Sequence, residues 1–425
     1  MKSFNEVLEY LNSLINYEVE FPLGGSRDRP KLEPVYTAAR VLDLPLVLPK
    51  CIHIAGTVGK GSTAALSQAL LSVHHSVLTF TSPHLVSPKE RVRLDGQDLP
   101  DEIWSEGIAA IRDGMKNSGT NLTYFETTLV FYLWCARKFG TTAHVVETGL
   151  GGSFDATNVL KRSTAVLTRI DLDHTHILGK TVGAIARDKS GIIKEGMDCF
   201  SVEQDVEAIL EVETAARTKH AVLSIEAREF RCEAVQPQVF RFIGKRTIEN
   251  ISIPLAGEFQ KHNLAVALAA VLGLDETLSD EQIREAVASL KLRGRQQTLD
   301  KHPNVMIDVC HNPASFAELA HSLKRDTKFS KRIALVAMMK DKDARESLRH
   351  LVGVVDELWV TAAPTPRTFT ADALLEIAQE LGLNARNVER LQAYNDILEL
   401  PHDVQGIACG SFYLVGDFMS EHADA

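Results

Sequence analysis

The sequence has no excess of positive charge. Its 46 lysines and arginines stand against 56 aspartates and glutamates, a formal net charge of −10, and no basic stretch offsets it. That balance argues against a nucleic-acid partner, and an anionic substrate would need lysine and arginine concentrated locally. Paired cysteines are also missing. The six present (Cys51, Cys135, Cys199, Cys232, Cys310, Cys409) are scattered without a CxxC pair. They read as reduced, mostly buried thiols of a cytoplasmic protein rather than a disulfide framework. No apolar run is long enough to span a bilayer, so no membrane partner is expected. The start, Met1-Lys2-Ser3-Phe4-Asn5-Glu6, is polar and carries an acid, unlike a signal peptide. Internal repeats and low-complexity tracts are absent. What remains is an ordinary globular composition, 45% hydrophobic and 24% charged, in a chain of 425 residues. That length is too great for one average core, and two domains are expected.

The chain is organised around Ile52-His53-Ile54-Ala55-Gly56-Thr57-Val58-Gly59-Lys60-Gly61-Ser62-Thr63. A buried strand, a glycine turn carrying a lysine and the helix-forming Ala64 to Leu71 together make a phosphate cradle. Glycines let consecutive backbone N–H groups converge on one anion, and the helix N-terminus adds partial positive charge. Lys60 can reach terminal phosphates, and Ser62 or Thr63 a magnesium ion. The alternative is an ordinary tight turn before a helix. Gly61, between the lysine and the hydroxyl residues, departs from the common P-loop pattern.

Other polar groups collect where apolar strands end. Strand 76–81 runs into Ser82-Pro83, which places Ser82 beside a nucleotide or simply in a turn. Thr123 and Glu126 have capping-box spacing at the head of an apolar helix reaching Phe139. Ala143 to Val146 is a buried strand ending on Glu147, followed by the glycine-rich 148–158. The natural partner of that carboxylate is magnesium on a triphosphate, and the alternative is water. Asp171-Leu172-Asp173-His174-Thr175-His176 suggests a divalent metal of unspecified kind, although a single such histidine is more often a core residue. Lys189 lies in a helix expected over 182–194, partly buried, where a lysine's pKa shifts readily. The basic loop at 21–34 either meets an anionic substrate or is solvated. Alternating apolar residues at 232–242 predict an antiparallel meander. Asn263 opens an alanine-rich helix and is expected to cap it. A hinge is expected at Leu292-Arg293-Gly294-Arg295-Gln296-Gln297. Beyond it, alternating strands and helices predict a second, smaller parallel α/β domain, whose first strand ends in Asp308-Val309-Cys310-His311-Asn312-Pro313.

The ordered set GTVGKGST (56–63), TSPHL (81–85), ERVR (90–93), YFE (124–126), ETGLGGSFDATN (147–158), DLDHTHILG (171–179), KSGIIKEG (189–196), RGRQQ (293–297), DVCHNP (308–313) and CGSFY (409–413) resembles the folylpolyglutamate synthase/dihydrofolate synthase family, a branch of the Mur ligases. The resemblance spans residues from about 50 to the end. It implies an α/β protein: a P-loop, parallel-sheet ATP-binding domain at 1–295 and a smaller Rossmann-like C-terminal domain at 296–425. It implies a monomeric, cytoplasmic, ATP-dependent amide ligase. Its partners would be dihydropteroate or folate, L-glutamate and ATP with two magnesium ions, and the reaction would pass through an acyl phosphate.

By the same resemblance, Lys60 and the amides of Gly59 and Gly61 hold phosphates. Ser62 and Glu147 match ligands of one magnesium. Ser82 and His174 match the remaining metal ligands. Lys189 matches a lysine that is carbamylated to support the second ion. Asn263 matches the adenine contact, while Arg295 and Asp308 match further ATP contacts. His311 falls near the phosphates or the incoming amino acid. Thr123, Tyr124, Phe125, Glu126 and Asp155 match positions lining the pterin site. Three departures bear on the substrate: Val58 replaces a usual asparagine, Ser153 a frequent arginine, and 21–34 is longer and different. The nearest rival is a ligase adding an amino acid to a UDP-muramoyl peptide. It would usually carry a separate N-terminal domain, for which the chain before residue 56 is too short. A P-loop switch or transport ATPase is the rival of another class.

Overall fold

The computed structural model describes residues 1, 3–17, 32–254, 257 and 259–422. The chain divides into two compact units. One comprises Met1–His84, Pro88–Pro254 and Lys261–Leu290. The other comprises Leu85–Ser87, Leu255–Gln260 and Lys291–Ala425. Most of the basic loop at 21–34, as far as residue 31, lies outside the described residues.

The first unit is built on strands β1 (Val47–Ala55), β2 (Val77–Phe80), β3 (Val92–Leu94), β4 (Gln97–Asp98), β5 (Ala143–Glu147), β6 (Arg162–Leu167), β7 (Asp198–Ser201) and β8 (Val222–Ile225). They form one sheet in the order β4-β3-β2-β5-β1-β6-β7-β8. The strands from β2 to β8 in that order run parallel, and β3 and β4 pair antiparallel at one edge. All the residues of β2 and β5 are buried. Near-continuous apolar strands of this kind suit a parallel sheet covered on both faces. One apolar cluster includes Phe80, Trp104, Phe131 and Tyr132, with the Trp104 and Phe131 rings stacked at 4.1 Å. A second gathers Ala55, Leu167, Ile185, Ile192 and Val212. Strands β9 (Arg231–Gln236), β10 (Val239–Ile243) and β11 (Thr247–Ser252) make the antiparallel meander.

Helix Tyr124–Phe139 begins with a complete capping box. The Thr123 side chain accepts from the Glu126 N–H, and Glu126 accepts from the Thr123 N–H at 2.7 Å. Thr123→Ala should therefore cost about 1 kcal/mol in urea denaturation; an unchanged midpoint would show the box to be idle. Two helices differ from their sequence patterns. The one expected to reach residue 194 ends at Lys189 and tightens into a 3-10 turn, Ser190–Ile192. There Gly191 abuts Ser153 so closely that a Cβ would lie 2.0 Å from its hydroxyl. The other begins at Gln260, so Asn263 is its fourth residue and not its cap.

The second unit contains β12 (Gln297–Thr298), β13 (Val305–Asp308), β14 (Lys331–Val336), β15 (Glu357–Val360), β16 (Ala385–Asn387) and β17 (Val404–Cys409), in the order β12-β13-β17-β14-β15-β16. Only β12 is antiparallel to its neighbour. Helices Pro313–Arg325, Ala344–Arg349, Ala371–Glu380, Arg390–Leu398 and Phe412–Glu421 alternate with the strands. The short segment Leu85–Ser87 belongs to this unit's packing. A Cβ on Gly416 would lie 2.0 Å from the Leu85 carbonyl oxygen. No helix among the described residues is long and apolar enough to cross a membrane.

Candidate active site

Three parallel strands deliver the polar groups of the first unit. β1 lies between β5 and β6, with Ile54 opposite Glu147 and Ala55 opposite Leu167. The loops that leave them therefore meet at one sheet edge. The loop after β1 is pinned to the chain after β6. Thr57 and Val58 donate N–H bonds to the Arg169 carbonyl (2.8 and 3.2 Å), and the Thr57 hydroxyl donates to the Asp171 carbonyl at 3.0 Å. Gly59 stands at the head of helix Lys60–Leu71 with φ +96°, a left-handed conformation that favours glycine. A Cβ there would lie 2.3 Å from Asn263 Oδ1, and that oxygen accepts from the Thr63 hydroxyl at 3.5 Å. Asn263 thus stands against the glycine turn from 204 residues further along the chain. Gly61 and the buried Ser62 lie in the helix's first turn.

Two lysines share one acceptor. The Lys60 ammonium donates to the Gly56 carbonyl at 3.2 Å, and Lys189 donates to the same oxygen at 2.7 Å. Lys189 is only 4% exposed. Burial first, and the Lys60 charge second, bring its pKa down from 10.5 to about 7 against the pull of Asp173, Asp188 and Asp155. Glu147, buried at the end of β5, accepts the Ser82 backbone N–H at 3.3 Å. His174 has φ +48° and caps the short helix Thr175–Leu178. Its N–H donates to Asp173 Oδ1 at 2.8 Å, and its Nε2 lies 3.8 Å from the same oxygen.

The glycine-rich loop after Glu147 is braced from within. Asp155 is buried and accepts N–H bonds from Gly149, Leu150 and Thr157 at 2.8–3.0 Å, and a further bond from the Thr157 hydroxyl. Burial raises its pKa, and these donors oppose the rise. The loop also lies on the helix that carries Lys189. Gly152 donates to Asp188 Oδ1 at 2.9 Å, and a Cβ on Gly152 would stand 2.5 Å from the Lys189 carbonyl oxygen. Of the residues at 123–126, Thr123 and Glu126 engage each other, and burial raises the Glu126 pKa. The Phe125 ring covers Gly149. Tyr124 is buried beneath the guanidinium of Arg91, 5.0 Å from its ring centre. Arg91, only 1% exposed, donates to His84 Nδ1 at 2.9 Å. The sequence offered Arg91 only as part of the ERVR segment, without a role.

In the second unit, Asp308 ends β13 and is buried. It accepts from the Gln296 N–H (2.9 Å) and the Cys310 N–H (2.7 Å). Burial raises its pKa, and the Arg295 charge lowers it. The Arg295 guanidinium lies 5.4 Å from the Phe412 ring centre, and the His311 ring lies 5.7 Å from the same phenyl. His311 Nδ1 is 3.0 Å from the Val309 carbonyl oxygen, so Nδ1 carries the hydrogen of that bond. Arg295, Asp308 and His311 are thus gathered at one end of this unit's sheet.

The Mur ligase middle domain model matches residues 54–271, and the Mur ligase glutamate ligase domain model matches 294–409. A dihydrofolate synthase/folylpolyglutamate synthase of Escherichia coli is 32% identical over 391 residues, covering 91% of this chain and 90% of that protein. The chain belongs to the dihydrofolate synthase/folylpolyglutamate synthase family of Mur ligases. Solved members of the family share its fold. Escherichia coli FolC in complex with DHPP and ADP superposes with a TM-score of 0.88 at 31% identity, covering 99% of this chain and 98% of that one. The bifunctional Yersinia pestis synthase with Mn, AMPPNP and L-glutamate bound gives 0.86 at 28% identity, covering 100% and 98%.

The residues of this family member fit a triphosphate with a hard cation. A glycine cradle that a Cβ would fill heads a helix, two lysine side chains share one carbonyl beside it, and Ser62, Ser82 and Glu147 offer oxygen. Among the described residues no group of three His, Cys, Asp or Glu side chains is placed to hold a metal, so such a site would draw on the two serines.

Proposed function

We propose that this protein is an ATP-dependent ligase that joins L-glutamate to dihydropteroate, to a reduced folate or to its polyglutamates. The substrate's terminal carboxylate attacks the γ-phosphorus, and ADP leaves. The glutamate amine then attacks the acyl phosphate, and phosphate leaves. The pair of lysines on the Gly56 carbonyl, beside the Glu147 loop in a chain of this family, carries the reading.

In this reading the amides of Gly59 and Gly61 and the Lys60 ammonium hold the phosphates and stabilise charge as it shifts to the leaving ADP. Ser62, Ser82 and Glu147 would hold one magnesium ion, and His174 and Lys189 would support a second. When bound, the ions neutralise the triphosphate and orient its γ-phosphate. With its pKa near 7, Lys189 has much of its amine neutral at physiological pH. That amine adds to carbon dioxide and sheds a proton, which leaves a carbamate with oxygen donors. Asn263 meets the adenine, Arg295 and Asp308 make further contacts to ATP, and His311 serves the phosphates or the incoming amino acid. Thr123, Tyr124, Phe125, Glu126 and Asp155 border the pterin, with Glu126 and Asp155 bonded inward so that they shape the site. The protein works as a cytoplasmic monomer of two domains.

The test is ADP release. It should depend on adding both dihydropteroate (or a reduced folate) and glutamate, with the amide product seen by mass spectrometry. Release indifferent to both, or triggered by a UDP-muramoyl peptide, would overturn the proposal. Gly59→Ala checks the cradle. Left-handed strain of roughly 1–2 kcal/mol and the Asn263 contact should weaken ATP binding about tenfold or more. Calorimetric titration with undiminished affinity would count against it.

A further inference from the structure

One buried histidine lies outside the chemistry described above. His53, on β1 three residues before Gly56, is fully buried, and its Nε2 lies 2.8 Å from the Thr157 hydroxyl. That hydroxyl has a single hydrogen, and Asp155 Oδ1, which is its nearest neighbour and an acceptor only, takes it. The hydrogen between His53 and Thr157 therefore belongs to Nε2. Nδ1 is buried with no hydrogen-bond partner, which suits the Nε2–H tautomer, because a bare lone pair there strands no donor. Burial keeps the ring from taking a second proton. The chain continues from Asp155 Oδ2 to the N–H groups of Gly149 and Leu150 at 2.9 and 2.8 Å. Those two residues lie between Glu147 and Gly152, the glycine seated on the Lys189 backbone.

We infer that His53 is a positioning residue: through Thr157 and Asp155 it fixes the loop that sets Glu147 and Lys189 relative to the glycine cradle. The inference rests on the proposed metal roles of Glu147 and Lys189 only for its effect on cation binding. The relay itself is independent of them. No local pattern in the sequence marks it, because the ring lies 104 residues before the segment that supplies both the hydroxyl and the carboxylate.

The test uses the full-length protein with His53→Leu, His53→Gln and Thr157→Val. Without ligands, hydrogen exchange in the peptide covering 148–158 should quicken about tenfold or more in His53→Leu and Thr157→Val, because the opening of a braced loop limits exchange. With AMPPNP, Mn2+ affinity measured by electron paramagnetic resonance should weaken about tenfold in both, the usual cost of losing a group that orients ligands. His53→Gln, whose Nε2 carries a donor at the same reach, should stay within about threefold of the parent in both measurements. The double variant His53→Leu/Thr157→Val should be no worse than either single change, as groups in one chain are not additive. Thr157→Val preserves shape and carries the test if His53→Leu does not fold. Unchanged exchange, or a glutamine no better than leucine, would overturn the inference, whereas faster exchange with intact cation affinity would remove the metal roles of Glu147 and Lys189 and leave the relay standing. Full ligation by Lys60→Ala would instead sink the site assignment and leave the exchange result standing.

Discussion

Lys60→Ala should cut ligation about a thousandfold, the scale of losing a preorganised charge at a phosphoryl-transfer site, while the protein melts within a few degrees of the parent. Lys60 is the first residue of its helix, and its Nζ meets a backbone carbonyl that Lys189 also reaches. Lys189 therefore still satisfies that carbonyl once Lys60 is removed. Steady-state kinetics beside thermal denaturation separates the two effects. Near-parental turnover, or an unfolded protein, would contradict the assignment. The same variant removes a cation that holds down the Lys189 pKa, so Lys189 should keep its proton to higher pH than in the parent.

Lys189→Met should also abolish turnover, yet it should make the protein more stable. A buried amine held at about 7 instead of 10.5 costs roughly 5 kcal/mol when protonated. Methionine is of similar length and carries no charge, and Lys60 still satisfies the Gly56 carbonyl. A gain of about 2 kcal/mol at pH 6 is expected, which is a rise of a few degrees in melting temperature. The sign of the pH dependence follows from the depressed pKa. Below pH 7 the lysine is protonated in both states, and the full penalty is present. Between about 7 and 10.5 only the unfolded chain keeps the proton, so the parent gains stability as pH rises. The variant's advantage is therefore largest at pH 6 and shrinks by pH 9. A lower melting point than the parent at pH 6, or a gap that widens with pH, would be the wrong result. In Lys189→Ala, added short carboxylates should restore part of the activity, and full activity without them would remove the metal role.

The sequence disclosed what local chemistry controls. Runs such as Ala143 to Glu147 are apolar throughout and short, so parallel strands and their polar ends were legible, as was the capping box at Thr123 and Glu126. The first two strands of the meander, at 232–242, showed themselves through alternation. Long-range register did not. Asn263 looked like a cap because a helix of alanines and leucines follows it, but the helix starts three residues earlier and the side chain abuts Gly59. Helical periodicity ran on to residue 194, but the close seat of Gly191 on Ser153 ends the regular turn at Lys189. Each miss depends on which segment packs opposite, and no window of neighbouring residues contains that information.

The placing of Leu85 has a consequence for anyone who would treat the carboxyl-terminal half as an exchangeable cassette. Its carbonyl rests where Gly416 admits no methyl, and its side chain lies beside Gly294. A chimera that imported residues 291–425 from a relative would bring a foreign seat for a segment encoded two hundred residues upstream. A fragment cut at Lys291 would lose a piece of its own lining. Recombination in this chain succeeds only if the donor's counterpart of Leu85 travels with the graft.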